Sequence, residues 1–493
     1  MKDVIVVGSG FGGLAQAALL AKDGHKVRVF EKNEQPGGRA SVYSENGYTF
    51  DMGPSWYLMP DVFERYFQEF GKRPSELFDL VRLDPSYRIF FGDQKQVDIS
   101  SDLEANYALF DTLEKGGGNK LRKYLDESRE KYDVAIKELL YRDYNKLTDF
   151  LDRRLLAQGR KLHLFENLDS FVNKHFESDE AKKIVEYSVG FLGGSPKNTP
   201  SFYHIMSHID FNLGVWYPRG GMREIAAQMV KMCEDMGVEF RYNEPVTKLE
   251  FEGRRVKGVV TPQGAYPADI VVMNADYAHS ELELVDPKHR SYSERYWEKR
   301  VLAPSAMVAY LGVNRKVEQL VHHNLFLDDD WGNGFDSIFD RNNHIWPETP
   351  SYYVNVPSRT DPTAAPEGGD TLFVLIPLSP GLKDTPELRE AFYDKIMDDL
   401  ERKLGTDIRS DIEVKRIFAL SDFKERYNAY EGTALGLSHT LGQTALFRPV
   451  HRSKKVENLY YTGHYCHPGI GVPMVLISSQ IVRDQIAKGT KEE

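Results

Sequence analysis

Cysteine is nearly absent: Cys233 and Cys466 are the only two among 493 residues. That excludes a disulfide scaffold and a Cys-rich metal site, and it suits a reducing compartment. No apolar run is long enough for a membrane span. The longest candidate, Ile470–Val482, is interrupted by Gly471, Pro473, Ser478, Ser479 and Gln480, and it falls short of the roughly 20 residues required. The first residues carry no secretory pattern, because Asp3 follows Lys2 and only Val4–Val7 are continuously apolar. Positive charge is not in excess. Lys and Arg number 63 against 74 Asp and Glu, a net charge of −11, which speaks against a nucleic-acid partner. There is no G-x-S-x-G elbow and no Walker A lysine, so hydrolase and P-loop readings fail. Low-complexity blocks and internal repeats are also missing. What remains has 41% hydrophobic and 28% charged residues, ordinary for a globular chain with a large core.

The clearest signal lies in the first forty residues. Val4-Ile5-Val6-Val7 reads as a strand buried on both faces. Gly8-Ser9-Gly10-Phe11-Gly12-Gly13 follows as G-x-G-x-x-G, and Leu14–Ala21 is rich in strong helix formers, with Gly24 as a stop. Lys26–Phe30 alternates as a second strand that ends at Glu31. This βαβ unit is the context that a dinucleotide fingerprint requires. Gly8 serves the tight turn, Gly10 the approach to a pyrophosphate, and Gly13 the packing of helix on strand. The helix N-terminus offers free N–H groups and partial positive charge, and Glu31 stands where a carboxylate accepts ribose hydroxyls. The fingerprint alone leaves NAD and FAD open. Gly37-Gly38-Arg39 then permits close backbone approach and offers a planar cation to phosphate or flavin.

With Phe50-Asp51-Met52-Gly53-Pro54 and the run Asn458–Pro473 added, the chain resembles the microbial carotenoid desaturases of the phytoene and diapophytoene type, within the flavin amine-oxidase-like fold group. The resemblance spans about Lys2 to Ile486 and includes Gly193-Gly194, Trp216–Met222, Asn274-Ala275-Asp276, His322-His323 and Ala365–Gly368. It implies an α/β fold: a Rossmann-type FAD-binding domain with a mixed sheet, and an inserted mixed α+β substrate domain. The expected cofactor domain comprises residues 1–85, 220–290 and 420–493, and the substrate domain residues 86–219 and 291–419. The implied cofactor is FAD. The expected cofactor-binding set is Gly8, Ser9, Gly10, Phe11, Gly12, Gly13, Glu31, Lys32, Gly38, Arg39, Gly53, Pro54, Val246, Gly463, Gly471, Val472, Pro473 and Met474. Val246 is carried over from the family, where that position meets the adenine through its backbone.

The residues of the C-terminal run support a reading of their own. Leu459-Tyr460-Tyr461 reads as a buried strand, Thr462-Gly463 as the turn at its carboxyl end, and Met474–Ala487 as a helix with Pro473 near its start. That helix N-terminus is expected to face the flavin pyrimidine edge. Elsewhere, Met222–Met236 reads as a helix, and Val238–Phe240, Val246–Phe251, Asp269–Met273, Ala306–Leu311 and Thr371–Leu378 read as strands. Asp152–Phe165 is a basic amphipathic stretch suited to an anionic membrane surface or to a solvated helix face.

A hydrocarbon substrate has no polar handle. Its oxidation needs a two-electron acceptor, a dry tunnel and stabilisation of transient positive charge. The expected reaction is repeated hydride and proton removal from a long isoprenoid, phytoene to a lycopene-type product, with quinone or oxygen reoxidising the flavin. The expected setting is cytoplasmic and peripheral to the membrane. His467 is the catalytic acid/base candidate, with Asp143 and Arg154 behind it. No metal site is expected, since the adjacent His322 and His323 would face opposite sides in a strand. Alternatives are a carotenoid isomerase, saturase or oxygenase, an amine oxidase with a flavin tethered near Cys466, or a flavin-free prenyl-lipid escort. Oligomeric state is not legible.

Overall fold

The computed structural model describes residues 1–93, 95–144, 166–327, 338–339, 345–348, 350 and 351–492. The amphipathic stretch 152–165, and Arg154 with it, lies outside the described residues.

Five strands form a sheet: β1 Asp3–Val7, β2 Lys26–Phe30, β3 Glu239–Arg241, β4 Ile270–Met273 and β5 Leu459–Tyr461. Their order is β5-β4-β1-β2-β3, and every pairing is parallel. The expectation of a mixed cofactor sheet is therefore corrected. The antiparallel strands Lys248–Glu252, Arg255–Thr261 and Gly264–Pro267 form a separate meander between β3 and β4. Helices α1 Phe11–Lys22, α2 Met222–Asp235 and α3 Val472–Glu492 accompany this sheet, and α1 packs on both others. Val4, Ile5 and Val6 are fully buried, which is why the run is continuously apolar. The chain winds β1-β2-β3 to one side of β1 and places β4 and β5 on the other. The carboxyl ends of β1 and β4 therefore flank a topological switch point, where open α/β sheets bind ligands.

A second sheet has seven strands in the order Ile412–Phe418, Ser305–Val313, Asp370–Leu378, Tyr352–Asn355, His323–Leu327, Tyr87–Phe91 and Lys95–Ile99. Its pairings are antiparallel except that between Tyr87–Phe91 and His323–Leu327. All nine residues of Ser305–Val313 are buried, but they alternate in destination. Met307, Ala309 and Leu311 pack with Phe392, Ile396 and Leu400 of the helix Pro386–Leu404. Ala306, Val308 and Tyr310 turn to the opposite core. The period of two thus decides which residues meet a covering helix and which meet the interior.

His322 precedes the strand His323–Leu327, so the expectation of opposite faces does not apply. The two rings lie 4.5 Å apart, with His322 Nδ1 against Thr360 Oγ1 at 2.7 Å and His323 Nδ1 against the Tyr353 hydroxyl at 2.6 Å. Among the described residues, no group of three or more His, Cys, Asp or Glu is placed to hold a metal ion.

Residues 208–213 form a π-helical turn that buries Asp210 beneath the second sheet. Its Oδ2 accepts the Tyr87 hydroxyl at 2.6 Å and the Tyr187 hydroxyl at 3.0 Å, while Oδ1 has no partner. Burial pushes this carboxyl from 3.8 up to about 7. Between those values the folded state holds a proton that the unfolded state has released, so stability falls as pH rises and levels off above the upper value. Asp210→Asn lacks this slope. Urea unfolding between pH 5 and pH 9 is expected to show the variant gaining on the wild type by about 1.4 kcal/mol per unit up to neutrality, and no further. A gap independent of pH would refute the burial argument.

Candidate cofactor and substrate site

The glycine turn is shaped by close backbone approach. Gly8 N–H donates to Phe30 carbonyl at 2.8 Å, tying β1 to β2 where the chain turns into α1. A Cβ on Gly13 would stand 2.0 Å from the Gly8 carbonyl, so any side chain there would push α1 off β1. Asn274, just past β4, supports the turn: its Nδ2 donates to Gly8 carbonyl at 3.3 Å. Gly38 comes so near that its Cβ would lie 3.1 Å from Gly10 Cα. The result is a crevice walled by bare backbone, with the first N–H groups of α1 free of intrahelical partners.

Glu31 ends β2, 5% exposed. Its Oε2 accepts Ser9 N–H and Ser9 Oγ–H, both at 2.8 Å, and its Oε1 accepts Asn33 N–H at 2.9 Å. A carboxylate has about four acceptor positions, so one remains for a ribose hydroxyl. Arg39 is the reverse case. Its Nε and Nη2 are buried and have no hydrogen-bond partner, and its guanidinium sits 5.4 Å from the Tyr427 ring. Buried donors of a cation are rarely left unspent, so this group points to an anionic or carbonyl-rich ligand.

From the crevice a single cavity of about 1930 Å³ extends into the second sheet. Gly8, Gly10, Phe11, Gly12, Glu31, Lys32, Gly38, Arg39, Gly53, Pro54, Val246, Gly463, Gly471, Val472, Pro473 and Met474 all line it, as does His467. Ser9 and Gly13 do not: one braces Glu31 and the other closes the helix–strand contact. Lys32 lines the wall, yet its Nζ donates to Glu425 carbonyl at 2.6 Å and Asn428 Oδ1 at 2.9 Å, so its charge is spent within the chain. The far walls are apolar, formed by Val308, Leu325, Leu327, Phe373 and Leu375 of the sheet and by Ile205, Met206 and Ile209.

His467 donates Nε2–H to Leu140 carbonyl at 3.1 Å, and its Nδ1 has no partner. Burial pushes its pKa down to about 3, so the imidazole is neutral in use. Asp143 is held elsewhere, its Oδ1 accepting Gln485 Nε2–H at 2.8 Å. Cys466 is fully buried outside the cavity lining, its thiol 3.7 Å from Tyr461 carbonyl, and burial raises its pKa. A thiol so placed and so protonated does not suit a covalent flavin tether.

Sequence reasoning missed an aromatic wall, a buried imidazole and a buried guanidinium. Trp56 stacks on His323 with ring centroids 4.1 Å apart, and Trp56, Tyr187 and Tyr353 line the cavity. Arg448 lies behind the loop that leads into α3, and His439 lines the cavity beside that loop. Trp56 adjoined a quoted motif and could have been found, whereas His439 and Arg448 sit in a stretch without periodicity.

These features fit FAD, and the cofactor is FAD. The free amides of α1 suit the pyrophosphate, Glu31 the ribose, Arg39 a phosphate or ring carbonyl, and the α3 N-terminus the isoalloxazine pyrimidine. The description "Flavin containing amine oxidoreductase" matches residues 11–486. A carotenoid 3,4-desaturase of Haloarcula japonica is 47% identical over 484 residues, covering 97% of each chain. A zeta-carotene-forming phytoene desaturase of Myxococcus xanthus is 34% identical, covering 98% of this chain and 93% of its own. A crystal structure of an oxidoreductase from Methanosarcina mazei has the same fold, with a TM-score of 0.63 at 17% identity, over 98% of this chain and 100% of its own.

Because the two buried, unpartnered donors of Arg39 cost the empty protein free energy, Arg39→Ala is expected to hold or modestly raise the urea stability of the apoprotein. FAD affinity, by calorimetry, should fall about ten- to a hundredfold, the worth of one charged hydrogen bond. Undiminished affinity would remove Arg39 from the site.

Proposed function

From the premise that this chain belongs to the flavin-containing amine oxidoreductase family, we propose that it is an FAD-dependent carotenoid desaturase. The observation that carries this reading is the cavity. At about 1930 Å³ it exceeds the roughly 300–1,000 Å³ of ordinary small-ligand sites. Its polar end suits a dinucleotide, and its remainder is walled mainly by apolar side chains, with Glu166 on the lining paired to Lys174.

When bound, the flavin supplies the two-electron oxidant that the chain itself lacks. The chain does the rest. Sheet residues such as Leu325, Leu327 and Phe373 exclude water and hold the polyene by dispersion and burial. Trp56, Tyr187 and Tyr353 present aromatic faces that attract developing positive charge on carbon. His467, neutral and with an unspent Nδ1 lone pair, accepts the proton from the adjacent carbon, while its bond to Leu140 carbonyl fixes the tautomer. No helix among the described residues is long and apolar enough to cross a membrane. The enzyme works peripherally at a bilayer, where its substrate dissolves. Phe447, 52% exposed and on the cavity lining, offers an apolar tip toward it. Quinone or oxygen takes the electrons away.

The relative at 47% identity is a carotenoid 3,4-desaturase, which favours a second form of the reading: a new double bond at the 3,4 position of an acyclic carotenoid rather than repeated desaturation of phytoene. Expression in cells that accumulate phytoene, its C30 analogue, or an acyclic carotenoid saturated at 3,4 separates these outcomes. Each added conjugated bond moves absorption to longer wavelength, and an unchanged pigment in all three hosts would overturn the desaturase reading.

The role of His467 has its own test. His467→Ala is expected to keep bound FAD, read by its visible absorption, and to lose roughly a hundredfold or more in turnover, the usual weight of a positioned base. Full turnover with FAD retained would reassign the base.

A further inference from the structure

Arg448 is a deeply buried cation, 3% exposed. Its hydrogen bonds run to carbonyls. Nε donates to Tyr465 at 3.1 Å and Cys466 at 3.2 Å, Nη1 to Gln443 at 3.2 Å, and Nη2 to Leu437 at 3.3 Å and His464 at 2.7 Å. Among the described residues none of its partners is a carboxylate. Burial pushes its pKa down only to about 10, so it stays charged at neutral pH.

The location of this charge is specific. A Cβ on Gly469 would stand 3.3 Å from the Arg448 guanidinium carbon, and the next residues, Ile470 and Gly471, line the cavity where α3 begins. His439 packs on the same glycine. Its Nε2 accepts Ile470 N–H at 3.1 Å, so its ring proton lies on Nδ1, which donates to the Tyr203 hydroxyl at 2.6 Å. That imidazole is therefore neutral. The α3 N-terminus adds partial positive charge pointing the same way. A buried cation is costly without an anion, and carbonyl dipoles compensate it only in part. Among the described residues the chain provides no anion here, which leaves the ligand to do so.

We propose that Arg448 is the counter-charge for the reduced flavin and raises the reduction potential of bound FAD. The inference rests on the family's flavin, not on the identity of the hydrocarbon. The oxidised ring is neutral; two electrons and one proton leave it with one net negative charge. Arg448 therefore stabilises the product of reduction and not the reactant, which favours electron uptake by the bound cofactor. Arg448 does not line the cavity. It acts at one remove, behind the Gly469–Gly471 loop, as a positioning and electrostatic residue rather than a catalytic one.

The test is the midpoint potential of bound FAD, measured anaerobically against reference dyes with dithionite as reductant, in the purified wild type, Arg448→Lys, Arg448→Gln and Arg448→Met. FAD content and thermal unfolding are recorded alongside. The wild-type potential is expected to lie above that of free FAD. The neutral variants should hold oxidised FAD within about threefold of wild type but reduced FAD at least tenfold more weakly, a fall of about 30 mV for a two-electron couple. Arg448→Lys should keep the wild-type potential, because charge rather than the carbonyl clamp is the cause. Gln retains two donors, so it reports if the Met variant fails to fold, and the wild-type comparison with free FAD needs no variant. A wild-type potential at or below that of free FAD overturns the inference. So does a neutral variant with unchanged potential, or a Lys variant that falls as far as Met. A wild-type protein that takes up no FAD would instead end the family reading itself.

Discussion

The site depends on a distance that admits no side chain: the approach of α1 to β1 at Gly13 and Gly8. A single Cβ at Gly13 would meet the Gly8 carbonyl at 2.0 Å. Because α1 can come that close, its first N–H groups open directly onto the end of β1. Asn274 from β4 then reaches beneath the turn to bond Gly8. Winding direction, helix position and phosphate cradle are thus one constraint. If α1 shifted outward, Glu31 would lose Ser9 as a brace, and Gly38 would lose its place over Gly10.

From that fixed point the molecule separates two solvents. At the nucleotide end, Glu31, Arg39 and Asp276 line a crevice with polar groups. Asp276 is buried, accepts the Tyr465 hydroxyl at 2.8 Å, and has its pKa raised by that burial. Beyond the α3 N-terminus, the lining comes from the alternate residues of strands whose opposite faces are sealed by the helix Pro386–Leu404. A sheet covered on one side can give its other face wholly to an apolar ligand. The reacting carbon must lie at the boundary, where a polar oxidant and an oil can touch, and His467, Trp56 and Tyr353 line that same cavity.

How much of this the sequence carried follows from how local each feature is. The βαβ unit was legible nearly to the residue, since β2 is Lys26–Phe30 as read, and so was the distant strand β5, Leu459–Tyr461. Short-range patterns of branched residues and glycines specify such elements by themselves. The strand expected from Val246 begins at Lys248 instead, which leaves Val246 outside the ladder and free to line the cavity. The resemblance implies a mixed sheet, whereas the antiparallel strands of residues 248–267 form a sheet of their own beside the parallel one, and periodicity does not reveal which strands pair. The charged interior was illegible for a related reason. Asp210, His439 and Arg448 are ordinary polar residues in irregular or π-helical segments, and their meaning lies in partners far away in the chain, such as Tyr87 for Asp210 and Tyr203 for His439.

Those three residues share a property that stability alone does not account for. A carboxyl whose second oxygen has no partner, an imidazole held neutral, and a guanidinium among carbonyls each cost more to bury than an apolar side chain of the same size. They are not scattered. Asp210 bonds Tyr187, which is on the cavity lining, His439 lines the cavity, and Arg448 backs the loop that leads into α3. Arg39, with two unspent donors, completes the pattern at the nucleotide end. Buried polar atoms without partners occur elsewhere too, Gln16 Nε2, Glu186 Oε1 and His322 Nε2 among them, but these four residues stand beside the cavity, where a ligand can relieve the cost. On this argument the protein without its cofactor is the strained state, and occupancy of the crevice is part of what holds the fold together.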